Sequence, residues 1–304
     1  METEWVTLGA MASGAPLRLP IHTIRGSRPG PVVGLSAGIH GDEIAPVEVV
    51  RKVVSLIDPA AMHGTLRVMP VANPLAFEGA TRHTPHDMLN LNRVFPGDPA
   101  GWITEQLAAA IVDRFLPGLD ALIDLHAGGI FPTVDYVYIL NDEALSRSLN
   151  FNVLYRAGRS FAGTLGTVAI DLGISTVVVE AGGGVDQEDI YVGKAAMGVF
   201  RALSYLGLHT PNPLPPVIPT VVDELLTIRP RQGGLFVPEK RIGDLGRIVP
   251  RGTLLGRVYD PYGFGELERF EAPFERTVLI LLRGGVGRVI PGDYAYMLGK
   301  PEGE

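Results

Sequence analysis

The chain has no cysteine. That excludes disulfides, thiolate zinc sites, iron–sulfur clusters and a cysteine nucleophile. Lysine is scarce, four residues against 22 arginines. Positive charge is short overall: 26 basic residues face 33 acidic ones, a net charge of −7 that argues against nucleic acid as a main partner. No apolar run reaches the roughly 18 residues needed to span a bilayer, so no membrane association is expected. The opening METEWVTLGAMASG has two early acidic residues and no basic stretch leading into an apolar one. No signal peptide is expected from it, and a cytoplasmic enzyme is the default expectation.

What is present is a well-buried globular composition, 46% hydrophobic and 19% charged over 304 residues. That length suits one large domain or two moderate ones. LRLPIHTIRG reads as an entry strand closed by turn residues, and PVVGLSA (31–37) as a buried strand. IAPVEVVRKVVSLI (44–57) has helical apolar spacing, and TLRVMPVAN (65–73) is a strand closed by Asn-Pro. Residues 74–100 read as one ordered polar loop, followed by a helix over 102–116. Strands are expected at 121–127, 134–140 and 175–181. EALSRSLNFNVL is a helix candidate, and a last helix covers 191–208. Strands alternating with helices predict an α/β fold with a mostly parallel sheet covered on both faces. The Pro-dense HTPNPLPPVIPT (209–220) reads as a linker. Beyond it, short strands punctuated by Gly and Pro predict a C-terminal all-β domain, dividing the chain at 1–210 and 211–304. Two Gly-Asp turns, at 243–244 and 292–293, hint at an internal duplication there.

The chemistry concentrates at strand exits. His40 and Glu43 lie three residues apart after the first buried strand, in GIHGDE. His126 closes ALIDLH, and Glu180 closes STVVVE. The ends of parallel strands converge on one crevice, so these residues can meet. His40, Glu43 and His126 would form a His2Glu set with a coordination position left open, the arrangement of a catalytic zinc. Each piece has a blander reading. A His-x-x-Glu pair alone is more often a surface pair, and an Asp-Leu-His strand end more often a structural histidine. Glu180 is harder to dismiss, since a carboxylate closing a fully apolar strand must be exposed, paired or liganded. His83 and His86 lie in the long loop and are weaker candidates. In the same loop Asn92 and Arg93 offer an amide beside a bidentate cation, suited to a substrate carboxylate. Arg82 could add a second cation for a developing oxyanion or a second acid group. A loop tied down by salt bridges is the alternative.

Taken together, Gly-Ile-His40-Gly-Asp-Glu43, Asn90-Leu-Asn92-Arg93-Val-Phe-Pro-Gly, Asp124-Leu-His126 and Val179-Glu180-Ala-Gly resemble the succinylglutamate desuccinylase/aspartoacylase family, relatives of the zinc carboxypeptidases. The four motifs fall in the family's order over residues 38–183, and the β-rich tail is similar to the family's C-terminal domain. The tail looks most like the branch containing N-acetyl-diaminobutyrate deacetylase. The resemblance implies a zinc carboxypeptidase-like fold, its mostly parallel or mixed sheet flanked by helices, with one zinc ion per subunit on His40, Glu43 and His126. It implies Glu180 as general base, Asn92 and Arg93 on the substrate carboxylate, and Arg82 polarising the scissile carbonyl. The expected reaction is removal of an acyl group from a small N-acyl amino acid or a related N-acylated amine, by a homo-oligomer. A metallocarboxypeptidase acting on short peptides and a catalytically silent binding protein are the alternatives. The tail is also similar to biotinyl/lipoyl modules, but its turn reads Phe274-Glu275-Arg276, without a lysine to modify, so no carrier role is expected.

Overall fold

The computed structural model describes residues 1–157, 161–184, 188–209 and 215–303. In chain order the elements are β1 (Glu2–Ala10), β2 (Pro16–Arg25), β3 (Arg28–Ser36), α1 (Ile44–Leu56), β4 (His63–Met69), α2 (Pro74–Glu78), a 3-10 turn (Leu91–Arg93), α3 (Ile103–Arg114), β5 (Ala121–His126), β6 (Pro132–Ile139), α4 (Glu143–Ser148), β7 (Val153–Arg156), α5 (Leu165–Asp171), β8 (Ser175–Gly182) and α6 (Glu188–Tyr205). Strands then follow without α-helices: β9 (Thr220–Ile228), β10 (Gly234–Pro238), β11 (Ile248–Pro250), β12 (Leu254–Tyr259), β13 (Glu266–Glu271), β14 (Arg276–Arg283), β15 (Gly287–Val289) and β16 (Tyr296–Pro301). No helix among the described residues is long and apolar enough to cross a membrane.

Twelve strands form one sheet, in the order β1-β2-β4-β3-β5-β8-β6-β7-β9-β16-β14-β11. Its centre, β4-β3-β5-β8, is parallel. β6 then runs antiparallel to β8, so the sheet is mixed. Alternation decides which side each residue serves. Val33, Leu35, Ile123, Leu125, Val177 and Val179 pack with α1 and α6 through Val49, Val53, Ala195 and Val199. The opposite face receives α3 and α5, through Leu107, Ile111, Leu165 and Ala169 against Leu122. Each such buried aliphatic side chain contributes roughly 1.5–3 kcal/mol. Ser36, Asp124, His126 and Glu180 bring polar groups to this second face at the strand ends.

Three local expectations are corrected. The helix predicted through EALSRSLNFNVL stops at Ser148, because Asn150 adopts a left-handed φ of 62° and the following Val-Leu-Tyr-Arg enters β7. Residues 74–100 are not all loop. Asn73 and Pro74, read as a strand stop, instead cap and open α2: the Asn73 side chain accepts from Ala76 N at 3.0 Å and proline takes the first helical position. The strand before them ends early, at Met69.

The segment after 220 is β throughout, apart from a 3-10 turn at Ile242–Asp244. Of the predicted linker, residues 210–214 lie outside the described residues. Strand β9 adds to β7, β16 to β9, β14 to β16, and β14 returns to β6 through Leu281 opposite Val134. β6, β7, β9, β16 and β14 therefore close into a five-strand ring, filled by Val134, Val153, Val222, Val278 and Ile280. A second sheet, β13-β12-β10-β15, packs on β14 and β16 through Phe236, Leu255, Phe270 and Tyr296.

Candidate metal centre

His40 and Glu43 sit on the turn between β3 and α1. The turn lies so close to α2 that a Cβ on Gly41 would stand 1.9 Å from the Ala76 carbonyl, so only glycine fits. Gly41 N also donates to Thr81 O, tying the turn to the loop that carries Arg82. His126 comes from the end of β5, where β5 pairs with β8 and His126 stands opposite Glu180.

These three residues meet. His40, Glu43 and His126 are 2%, 3% and 4% exposed, and their ligand atoms lie within 4.8 Å of one another. His40 Nδ1 is 2.7 Å from Glu43 Oε1, and His126 Nδ1 is 3.1 Å from Glu43 Oε2. The outer ring nitrogens face oxygen acceptors: His40 Nε2 is 3.2 Å from Asn90 Oδ1, and His126 Nε2 is 3.1 Å from Asp124 Oδ2. Asp124 is itself held by Ser36 Oγ at 2.6 Å. An Nε2–H donated outward leaves each Nδ1 with a bare lone pair aimed at a carboxylate oxygen. Facing lone pairs call for positive charge between them: a metal ion or, in its place, a proton on His126 Nδ1 together with the Arg82 guanidinium, whose Nη1 donates to Glu43 Oε1 at 2.9 Å and stands 3.3 Å from His40 Nδ1. Donor type, number and outer-shell orientation all fit a divalent cation.

The electrostatics agree. Burial works against ionising Glu43, yet the two histidines outweigh it and hold its carboxyl well below the usual range. Burial also opposes charge on His126, but Asp124 and Glu43 push its pKa well above the ordinary histidine value. Glu180 behaves in the opposite way. Burial, seconded by Glu43 and Asp124 against the pull of His126 and Arg82, raises it to about 8. A carboxyl tuned there can accept a proton near neutral pH and give it back.

The remaining predicted residues line the same crevice. Arg82 Nη1 donates to Glu43 Oε1 at 2.9 Å, with its side chain 43% exposed. Asn92 Oδ1 accepts from Leu165 N at 3.0 Å, and its Nδ2 stands 3.5 Å from His126 Nε2. Arg93 is exposed beside it, donating to the Asn92 carbonyl at 2.6 Å. His83 and His86 are exposed and are not members of the buried cluster. Sequence reasoning assigned no role to Ser36, Asn90 or Asp124. Asp124 and Asn90 both carried a usable signal: Asp124 lies two residues before His126 on a strand and so on the same face, and Asn90 opens the motif that holds Asn92 and Arg93.

Comparison with known proteins points the same way. Residues 29–206, more than half of the chain, match the succinylglutamate desuccinylase/aspartoacylase catalytic domain. The N-alpha-acetyl-L-2,4-diaminobutyric acid deacetylase of Halomonas elongata is 26% identical over 249 residues, covering 76% of this chain and 71% of that protein. The product-bound ectoine utilization protein EutE of Ruegeria pomeroyi superposes with a TM-score of 0.84 at 24% identity, over 98% of this chain and 94% of its own. The succinylglutamate desuccinylase/aspartoacylase of Rhodobacter sphaeroides gives 0.84 at 23%, over 99% and 95%. With its four motifs in order, its buried His-Glu-His cluster and this match, the chain belongs to the succinylglutamate desuccinylase/aspartoacylase family of deacylases.

Proposed function

We propose that this protein is a zinc-dependent amidohydrolase that removes the acyl group from an N-acyl amino acid, with residues 1–210 as the catalytic part and 211–304 as a β-rich wall beside it. One zinc ion, held by His40, Glu43 and His126, would supply Lewis acidity toward the scissile carbonyl and toward water. Glu180 takes the proton of the attacking water and returns it to the nitrogen of the leaving amine. Arg82 stands at Glu43 with its guanidinium half exposed, placed to neutralise charge developing on the carbonyl oxygen. Asn92 and Arg93 fix the substrate's carboxylate and so the register of the amide bond. Asp124, braced by Ser36, holds the His126 ring in the orientation that keeps Nδ1 inward.

The observation that carries this reading is the pairing of Glu180 directly with His126: a carboxyl raised to about 8 stands one strand away from the buried metal-binding set, on the same face. The test is metal analysis followed by a panel of N-acyl amino acids with acidic, basic and neutral side chains. Glu180→Gln is expected to retain one zinc per chain and to lose roughly 100- to 10,000-fold in kcat, the range of a lost general base. Near wild-type turnover by that variant would remove Glu180 from its role. Faster cleavage of short peptides than of any N-acyl amino acid would favour a carboxypeptidase instead.

A further inference from the structure

Two tyrosine hydroxyls stand beside the proposed base. Tyr136 pairs with Glu180 across the β6–β8 ladder, and Tyr138 follows on the same face of β6. Tyr136 is 2% exposed, whereas Tyr138 is half-buried. Their hydroxyl oxygens are 3.1 Å apart, and among the described residues this is the one hydrogen bond either hydroxyl makes. Two O–H groups thus share one bond, and one proton is left over. Burial decides which. Were Tyr138 the donor, the proton of fully enclosed Tyr136 would be stranded without an acceptor. Tyr136 therefore donates, and the O–H of Tyr138 is left without an acceptor among the described residues. Burial, with Glu180 adding to it, keeps both phenols protonated far above neutral pH, so the donor is present throughout the working range.

The same donor lies toward the Arg93 loop. The Tyr138 ring meets Phe161 edge-on at 6.3 Å. Two residues on, Gly163 O accepts from Phe95 N at 3.1 Å. Gly163 also lies against the Arg93 carbonyl so closely that a Cβ there would be 2.2 Å from the oxygen, at a φ of +76°. Segment 161–163 therefore clamps the Arg93 turn beside Tyr138. The guanidinium is near enough to oppose the rise in the phenol's pKa. A neutral O–H donor on β6 thus stands within electrostatic reach of the Arg93 guanidinium, one strand beyond Glu180 as seen from His126.

We infer that Tyr138 is a substrate-binding residue whose hydroxyl donates to the carboxylate held by Arg93. This rests on the function proposed above and deepens it: the substrate's free carboxylate is held by a neutral donor as well as a guanidinium, and simple N-acyl amines lack the group both donors require.

The experiment compares wild type, Tyr138→Phe, Tyr136→Phe and the double variant on the best N-acetyl amino acid of the panel and on its carboxamide. For the acid, Tyr138→Phe should raise KM about tenfold with kcat within about twofold, the signature of lost uniform binding. For the carboxamide, which is already a poor ligand, the same change should alter KM less than twofold. Tyr136→Phe leaves the Tyr138 donor in place and should keep the wild-type KM. Equal loss on acid and carboxamide, an unchanged KM for the acid, or recovery of KM in the double variant would overturn the assignment, the last because it would reduce Tyr138 to a partner for Tyr136. If the wild type hydrolyses nothing in the panel, the proposed function falls. Tyr138 is then judged by calorimetric titration with N-acetyl-L-alanine: about tenfold weaker binding by Tyr138→Phe supports it, and equal binding or none by the wild type overturns it.

Discussion

Glu180 shows what a single residue costs and contributes. Its carboxyl titrates at about 8 in the fold and near the ordinary 4.5 when unfolded. Between those values the folded state holds the extra proton, so raising the pH through that window lowers stability. In metal-free protein we expect the melting temperature to fall from pH 5 to pH 9. Glu180→Gln should flatten that slope and melt higher than wild type at pH 9, by about 2 °C for each kcal/mol recovered. A slope unchanged by the substitution would refute this. Asp124 acts at the same scale. Asp124→Asn should weaken zinc binding roughly 10- to 100-fold in competition with a chelator while leaving the fold intact. The three residues that could hold a metal were legible in the sequence, because His40 and Glu43 follow an apolar strand in a turn that contains Gly41, and His126 ends another apolar strand. Tyr138 was not, because a tyrosine in a strand reads as packing and the excess of its one proton shows only when Tyr136 is seen enclosed.

Among the elements, the turn between β3 and α1 is the tightest. Gly41→Ala would drive a methyl group into the Ala76 carbonyl, and the turn cannot yield without moving His40 or α2. That variant should bind well under one zinc per chain and melt several degrees lower; full occupancy would show that the turn tolerates the methyl. β3, β5 and β8 were readable as apolar runs. Strand β7 and helix α2 were not, for opposite reasons. In β7 four residues follow a helical pattern without punctuation beyond Asn150, whose left-handed backbone an asparagine allows but does not announce. At α2, Asn73-Pro74 is equally a strand terminator and a helix start, and only the bond from Ala76 N decides.

In the whole molecule, the closed ring of β6, β7, β9, β16 and β14 joins the C-terminal strands edge-to-edge to the sheet that carries Glu180. Its composition in strands was readable from residues 220–301; the closure was not, since nothing in the pattern of β14 names β6 as its partner. Strand pairing is a non-local choice. β6 is bonded along both edges, to β8 on one side and to β7 and β14 on the other. A strand in a closed ring cannot peel away alone, because freeing it opens two seams together. The backbone amides of Val134, Tyr136 and Val137 should therefore exchange with deuterium only when the entire protein unfolds, at a rate set by global stability. Those of β1, paired along one edge and exposed except at half-buried Val6 and Leu8, should exchange orders of magnitude sooner through local fraying. The tyrosines beside the proposed base would then rest on one of the slowest-breathing strands among the described residues, and the position of a substrate carboxylate would be timed by that strand rather than by the loops at the mouth.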